Sequence, residues 1–295
     1  MYSKKLRHAC TKTYGQLYAL LILVGTFPAC MAGDPARPID GIMDNSFFVE
    51  EAYNQEPGIV QHIFTGGYSV SHLSTPGNRR HDLTFTQEWP AYGQAHQLSY
   101  TVPYAFSRDD GQWTHGIGDV LLNYRYQAYF EEKTLTALAP RFSLALPTGD
   151  EHQGFGNGNL GYQWNLPFST TFGDRLFAHG NAGLTYLPNA GEQPEHDFLN
   201  YNLGGSLIYC FSGSFNFMVE WVGNWNETVG TTGKVEREFI SFISPGVRYA
   251  LNFRNGSQLV VGLGVPLGLT SSTPEIGGLV YLSFEHRLFG KKESQ

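Results

Sequence analysis

The chain has 295 residues and a formal net charge of −7, with 15% charged residues, 15% aromatic residues and 35 glycines. A soluble domain carries about a quarter charged residues, and an acidic chain gives nucleic acid no electrostatic footing, so nucleic acid is excluded as a partner. Mean hydropathy is −0.25, and past the N-terminal region no run approaches the roughly 18 apolar residues of a membrane helix. This excludes a helical membrane protein, whereas strands facing lipid on one side and water on the other average to such a value.

Residues 1–32 have the composition of a signal peptide. Lys4, Lys5, Arg7 and Lys12 form the basic start, 17–27 is an apolar core too short to anchor, and Cys30 and Ala32 precede a cut ahead of Gly33. A second reading makes 27–30 a lipoprotein box with Cys30 acylated, which Phe27 and Pro28 fit poorly. Cys10 and Cys30 belong to the leader, and Cys210 alone supplies neither a disulfide framework nor a metal set. It reads as a small strand side chain. A short segment, 33–56, comes next. Its part 44–56 has the pattern of a short helix capped by Asp44 or Asn45, either a small plug in a lumen or a periplasmic extension.

From Gly58 the sequence keeps a period of two, the mark of half-buried strands. Val120, Leu122, Tyr124 and Tyr126 alternate with Leu121, Asn123, Arg125 and Gln127; Leu259, Val261, Leu263 and Val265 alternate with Gln258, Gly262 and Gly264. Twelve such runs are expected, at 58–66, 80–90, 95–106, 115–130, 133–146, 157–170, 174–187, 197–211, 213–226, 237–251, 256–268 and 275–289. An even number brings both ends of a bacterial barrel to the periplasm. The expected fold is all-β: a single closed transmembrane antiparallel barrel over 57–289, with a polar tail 290–295 after Phe289.

Connector lengths give an orientation. Short links at 91–93, 131–132, 172–173, 212 and 252–255 alternate with long polar ones at 66–79, 107–113, 147–156, 188–196, 227–236 and 270–274. Barrels of the outer membrane place short turns in the periplasm and long loops outside. Gly191 and Thr231 are therefore expected outside, and Ser212 and Arg254 on the periplasmic side.

Tyrosine and tryptophan fall on the apolar stripes (Tyr100, Tyr124, Trp164, Tyr209, Trp221, Tyr249), where their rings suit the headgroup level of a bilayer. Arg125, Arg141 and Arg248 share the opposite stripe. A one-residue slip would turn each into hydrocarbon at roughly 2–4 kcal/mol apiece, comparable in sum with a whole stability of about 5–15 kcal/mol. The polar stripe therefore faces inward. The lumen-lining candidates are Glu88, Arg125, Gln127, Arg141, Gln163, His179, Glu220, Arg248, Glu285 and Arg287, while Leu122, Phe142, Val219 and Val247 face lipid. Across a lumen roughly 25 Å wide between backbones, the inward Arg and Glu groups are expected to pair, narrowing the path or holding it shut.

Three other patterns are weaker. The glycines of GIGD at 116–119 lack the following helix a phosphate site needs and read as the loop entry to the fourth strand. His72, Ser74 and Asn78 contain the residue types of a lipase, which needs a base in hydrogen-bond reach of the nucleophile and a third group to orient it; they read as a polar loop. Glu192, Glu195, His196 and Asp197 match no calcium-loop spacing and read as a solvated acidic loop. No catalytic set, metal site or cofactor is expected.

Several phrases carry a family resemblance: NSFFVEEAYNQ at 45–55 running into PGIVQH at 57–62, then GIGDV at 116–120, YRYQ at 124–127, PR at 140–141 and LPTGD at 146–150. In this order they resemble the outer-membrane barrels grouped as the phenol meta-pathway (MetA) degradation family, from about Asn45 to Phe289. The resemblance implies an outer-membrane channel or transporter for small solutes, in some cases aromatic compounds, with no catalytic residues to carry over. The expected partners are the lipid bilayer, lipopolysaccharide, the barrel assembly machinery and small solutes. The alternatives are a structural or adhesive barrel acting through its loops and, more remotely, a membrane lipid hydrolase.

Overall fold

The computed structural model describes residues 46–71, 79–109, 111–190, 196–230 and 233–288. The expected leader with Cys30, and Asp44, Asn45, His72, Ser74, Asn78, Gly191, Glu192, Glu195, Thr231 and the polar tail, lie outside these residues.

Twelve strands form one sheet. They are β1 (Ile59–Val70), β2 (Arg79–Pro90), β3 (His96–Asp109), β4 (Gln112–Ile117, Val120–Tyr126 and Tyr129–Glu131), β5 (Thr136–Leu138 and Arg141–Leu146) and β6 (Gly161–Phe172). The second half holds β7 (Leu176–Ala190), β8 (His196–Ser212), β9 (Phe215–Val229), β10 (Val235–Asn252), β11 (Gln258–Gly264 and Leu267–Gly268) and β12 (Ile276–Arg287). Each strand pairs antiparallel with the next, and β1 pairs with β12 from Ile59↔Arg287 to Val70↔Ile276, so the sheet closes. Closure leaves no unpaired edge, which is what a sheet in hydrocarbon requires.

The breaks have local causes. Pro140 and Pro266 lack the N–H that a ladder needs, and β5 and β11 are interrupted at these points. In β4 the interruption at Gly118 and Asp119 belongs to a clasp. The Asp119 carboxylate accepts from the Gly149 N–H (3.0 Å), the Asn157 N–H (2.8 Å) and Asn157 Nδ2 (2.8 Å). A Cβ on Gly149 would stand 2.3 Å from the Phe155 carbonyl oxygen, and one on Gly116 2.8 Å from the Phe155 ring. GIGD and LPTGD thus meet as the two halves of one loop lock. Gly116 lies within β4 rather than at its loop entry, which corrects the sequence expectation.

The alternation holds along each strand. On β8, Gly204, Ser206, Ile208 and Cys210 turn inward and are buried, while Leu203, Leu207, Tyr209 and Phe211 are exposed on the outside. Leu122, Val247 and Val280 are likewise exposed; Val280 keeps 57% of its surface. An outer wall of bare Leu, Val and Phe around a polar, buried interior is a core turned inside out, and it defines a transmembrane barrel. Aromatic clusters sit near both rims of that wall: His96 with Tyr124 and Tyr126 at the end carrying the barrel's termini, Tyr68 with His81 and Trp113 at the other.

The connector contrast is smaller than expected. The polar stretch 107–113 is a hairpin whose strands stay paired to Asp109↔Gln112. Likewise 188–196 and 227–236 are largely β7 to β10 continuing, with gaps of 191–195 and 230–234 between strands. The reason is physical: a strand leaving the bilayer loses its apolar side chains but keeps its backbone ladder. At the terminus end the turns fall at 91–95, 132–135, 173–175, 213–214 and 253–257, and Arg254 sits in the last of them. The 147–160 loop, with its 3-10 turn Glu151–Gln153, remains the long one at the loop end. On intact cells, and with Cys210 replaced, Gln153→Cys should react with an impermeant maleimide and Arg254→Cys should not. Equal labelling of the two would overturn the orientation.

Candidate functional site: the occupied lumen

Residues 46–56 contain no helix; they run as a chain of bends inside the barrel. Of the two placements the sequence left open, lumen and periplasm, the structure has the lumen, and the expected helix does not form over 46–56. A helix would consume its own N–H and C=O groups, and here the barrel wall takes them.

The first anchor is Glu220 on β9, with none of its surface exposed. Its carboxylate accepts from three successive amides: Phe47 (3.1 and 3.2 Å), Phe48 (2.9 Å) and Val49 (3.0 Å). Consecutive N–H groups converging on an anion form a nest, and a buried carboxylate needs such partners. The Phe47 ring fills a hole that glycine leaves open in the wall. A Cβ on Gly246 or Gly262 would come within 2.6 Å of that ring, and the Tyr281 ring packs on it at 5.3 Å. Ser46 Oγ donates to Ser206 Oγ at 2.7 Å.

The second anchor is Arg125 on β4. Its Nε donates to Asn54 Oδ1 (2.8 Å), Nη1 to the Glu51 carbonyl (2.9 Å) and Nη2 to the Tyr53 carbonyl (2.7 Å). Glu50 lies between Arg125 (3.4 Å) and Arg141 (2.8 Å) and accepts from Asn165 Nδ2 (2.6 Å). Arg141 also donates to Asn123 (3.0 Å), Gln163 (2.9 Å) and Ser143. Burial pushes the Glu50 carboxyl up, but Arg141 and then Arg125 outweigh it and hold the group below the ordinary 4.5. The ion pairs therefore persist above that value and are lost only as acidification passes below it.

The rest of the segment is held the same way. Ser169 accepts from the Ala52 N–H (2.8 Å) and bonds His179 Nδ1 (2.8 Å); Gln97 accepts from the Gln55 N–H (2.7 Å), and Gln127 from the Asn54 N–H (3.4 Å). The Gln55 side chain donates to Gln61, which donates to Ser283 (2.8 Å).

Of the expected lumen residues, Arg125, Gln127, Arg141, Gln163, His179 and Glu220 are brought onto or next to this segment. Glu88 accepts from Gln97 Nε2 (2.9 Å) and faces open space in the lumen. Arg248 is buried beside Gly262, with Nε on Asn216 (3.3 Å). Glu285 is half-buried on the inward face, and Arg287 is exposed at the last ladder pair, a rim position rather than a lumen one. The wall glutamate Glu88 attracts Arg125, as the sequence suggested, but among the described residues no wall glutamate forms a salt bridge with Arg125 or Arg141. They pair with Glu50 and with backbone carbonyls of the segment, while Glu220 takes its amides. Glu50, Asn54 and Phe47 were missed as site residues; the two adjacent acids in the 45–55 phrase were their only sign. At the loop end, Asp197 accepts from the Tyr186 hydroxyl (3.1 Å) and the Asn189 N–H (2.9 Å).

The segment also completes the interior apolar clusters. Ala52 and Tyr53 pack with Ala137 and Ala139, and Phe47 packs against both Ile208–Met218–Phe177–Cys210 and Ala250–Val260–Leu279–Tyr281. Beyond it, toward the loop end, a cavity of about 640 Å³ remains. Its floor is Phe47 to Glu51 with Arg125 and Arg141; its walls mix Thr65, Thr84, Thr86 and Thr101 with Ile63, Ile240 and Phe242.

The fold and its filled interior define a closed transmembrane β-barrel with an internal plug. No protein-family model and no curated protein matches the chain. Among solved structures, Salmonella typhi OmpF in complex with daunomycin is similar at 10% identity, covering 79% of this chain and 98% of that one, with a TM-score of 0.39. The β domain of the Bordetella autotransporter BrkA is similar at 12% identity over 80% and 100% of the two chains (TM-score 0.47), and a bacterial polysaccharide outer-membrane secretin at 8% over 80% and 100% (TM-score 0.35). The ladder registers define the barrel without them.

Charge-assisted hydrogen bonds contribute about 1.5–3 kcal/mol each. Glu220→Ala should therefore loosen the segment by about 3 kcal/mol, or roughly 100-fold faster hydrogen exchange in a peptide covering 46–56. Unchanged protection would mean that the nest does not hold the segment.

Proposed function

We propose that the protein is an outer-membrane channel for small solutes whose path is closed by its own N-terminal segment. The observation that carries this reading is the way the segment is held. It has no strand ladder to either neighbour; besides the packing of Phe47, Ala52 and Tyr53, it rests on side-chain hydrogen bonds and two ion pairs, which water can replace. A cavity of about 640 Å³ ends on it and offers hydroxyls and apolar walls together. The inside-out surface and the aromatic rims support a bacterial outer membrane as the location. The resemblance to the phenol meta-pathway family adds aromatic compounds as a solute class, and the cavity wall offers hydroxyls and apolar surface that would suit a small ring bearing a hydroxyl.

A structural barrel is the second reading, favoured by the apolar clusters that fill the lumen beside the segment. Conductance separates the two. In planar bilayers wild type should open rarely, and Arg125→Ala, which strips three donors from the segment, should raise the open fraction about 100-fold, as expected for a loss of about 3 kcal/mol. If wild type and Arg125→Ala both stay at the bare-bilayer background, the channel reading fails and the structural one stands.

A further inference from the structure

A second charged feature lies on the outer wall. Arg79 and Arg108 face each other directly across β2 and β3, at the loop-end rim. Both fall on the stripe that carries Leu83 and Phe85 on β2 and Tyr104 and Phe106 on β3, so both are on the lipid side. Like charges directly opposite on a sheet repel. Among the described side chains no carboxylate pairs with either, and the Nε of each is shielded from water without a hydrogen-bond partner. The neighbouring Arg80, on the inward stripe, has its acid: Asp82 at 2.7 Å. Among the described side chains the wall thus gives an acid to the arginine that faces the lumen and none to the two that face out.

Their height fits a membrane surface. Trp89 and Arg79 are ten residues apart on one stripe of β2, about 25 Å along the barrel axis for a tilted strand, which matches the apolar band of such barrels. Immediately below the pair, His81 packs between Tyr68 (4.8 Å) and Trp113 (5.8 Å), and Trp113 is the ladder partner of Arg108. Two guanidiniums above an aromatic shelf and an apolar wall can hold a phosphate at the headgroup level while acyl chains lie below, and guanidinium forks match phosphate oxygens in geometry.

We propose that Arg79 and Arg108 bind the phosphate of a lipid headgroup in the leaflet at the loop end. The proposal rests on the lipid-facing reading of the outer wall and not on the channel reading. The test uses the full-length protein in detergent and native mass spectrometry, with bisphosphorylated lipid A, the same lipid after phosphatase treatment, and inorganic phosphate as probes. Wild type should retain the phosphorylated lipid and bind the dephosphorylated one at least tenfold more weakly. Arg79→Gln with Arg108→Gln should lose the preference, whereas Arg254→Gln, at the opposite rim, should keep it. Equal binding of the two lipids by wild type, or an unchanged preference in the double variant, overturns the proposal. Saturation of the site by inorganic phosphate alone, with no gain from the lipid, overturns the lipid assignment. If the double variant does not fold, the thermal shift of wild type with each lipid decides: a rise with the phosphorylated lipid only supports the proposal, and equal shifts end it. Conductance enters none of these measurements, so a silent channel leaves this outcome independent.

Discussion

A guanidinium cannot be left dry without acceptors, and this requirement on Arg125 governs the inside of the barrel. Its ladder partners on the wall are Gln97, an amide, and Arg141, a second cation, and the wall carboxylate Glu88 attracts it without a hydrogen bond. The acceptors come from a segment that no strand pairs with: one asparagine oxygen, two carbonyls and the Glu50 carboxylate. Glu220 poses the opposite problem on the far side, an anion in need of donors, and the same segment answers with three amides. A short piece of chain with its carbonyls turned one way and its amides the other satisfies both, and the segment occupies the lumen as a result.

The arrangement also explains why glycine is placed where it is on β10 and β11. An interior-facing side chain at Gly246 or Gly262 would occupy the space of the Phe47 ring. The wall is carved to receive the segment, and the apolar clusters form against it. Breaking such a contact set costs several kcal/mol at once, yet each bond has a water equivalent. That combination suits a closed state with a rare open one, and it is the basis of the gating proposal.

Much of the wall was legible in the sequence. Period-two alternation located all twelve strands, and the cost of placing Arg125, Arg141 and Arg248 in lipid fixed which stripe faced inward; the structure has each of these side chains inside. What pairs with them was not legible. Arg125 and Asn54 are 71 residues apart, and Glu220 and Phe47 are 173 apart, separations at which no local pattern links donor to acceptor. Hydrophobic periodicity also misjudged the loops, because it tracks side-chain contact with lipid and is blind to backbone pairing beyond the bilayer. The segment itself was ambiguous for a related reason: its polar groups point to a partner wall that only closure of the barrel creates.

The central claim is that residues 46–56 sit in the lumen and block it, and one engineered bond tests that most directly. A Cβ on Gly204 would lie 3.0 Å from Val49 Cγ2, so Val49→Cys and Gly204→Cys, with Cys210 replaced by Ser, are placed to cross-link. Current through the reconstituted double variant should vanish on oxidation and return on reduction. Failure of the cross-link to form in the membrane, or full current through the cross-linked protein, would contradict the account.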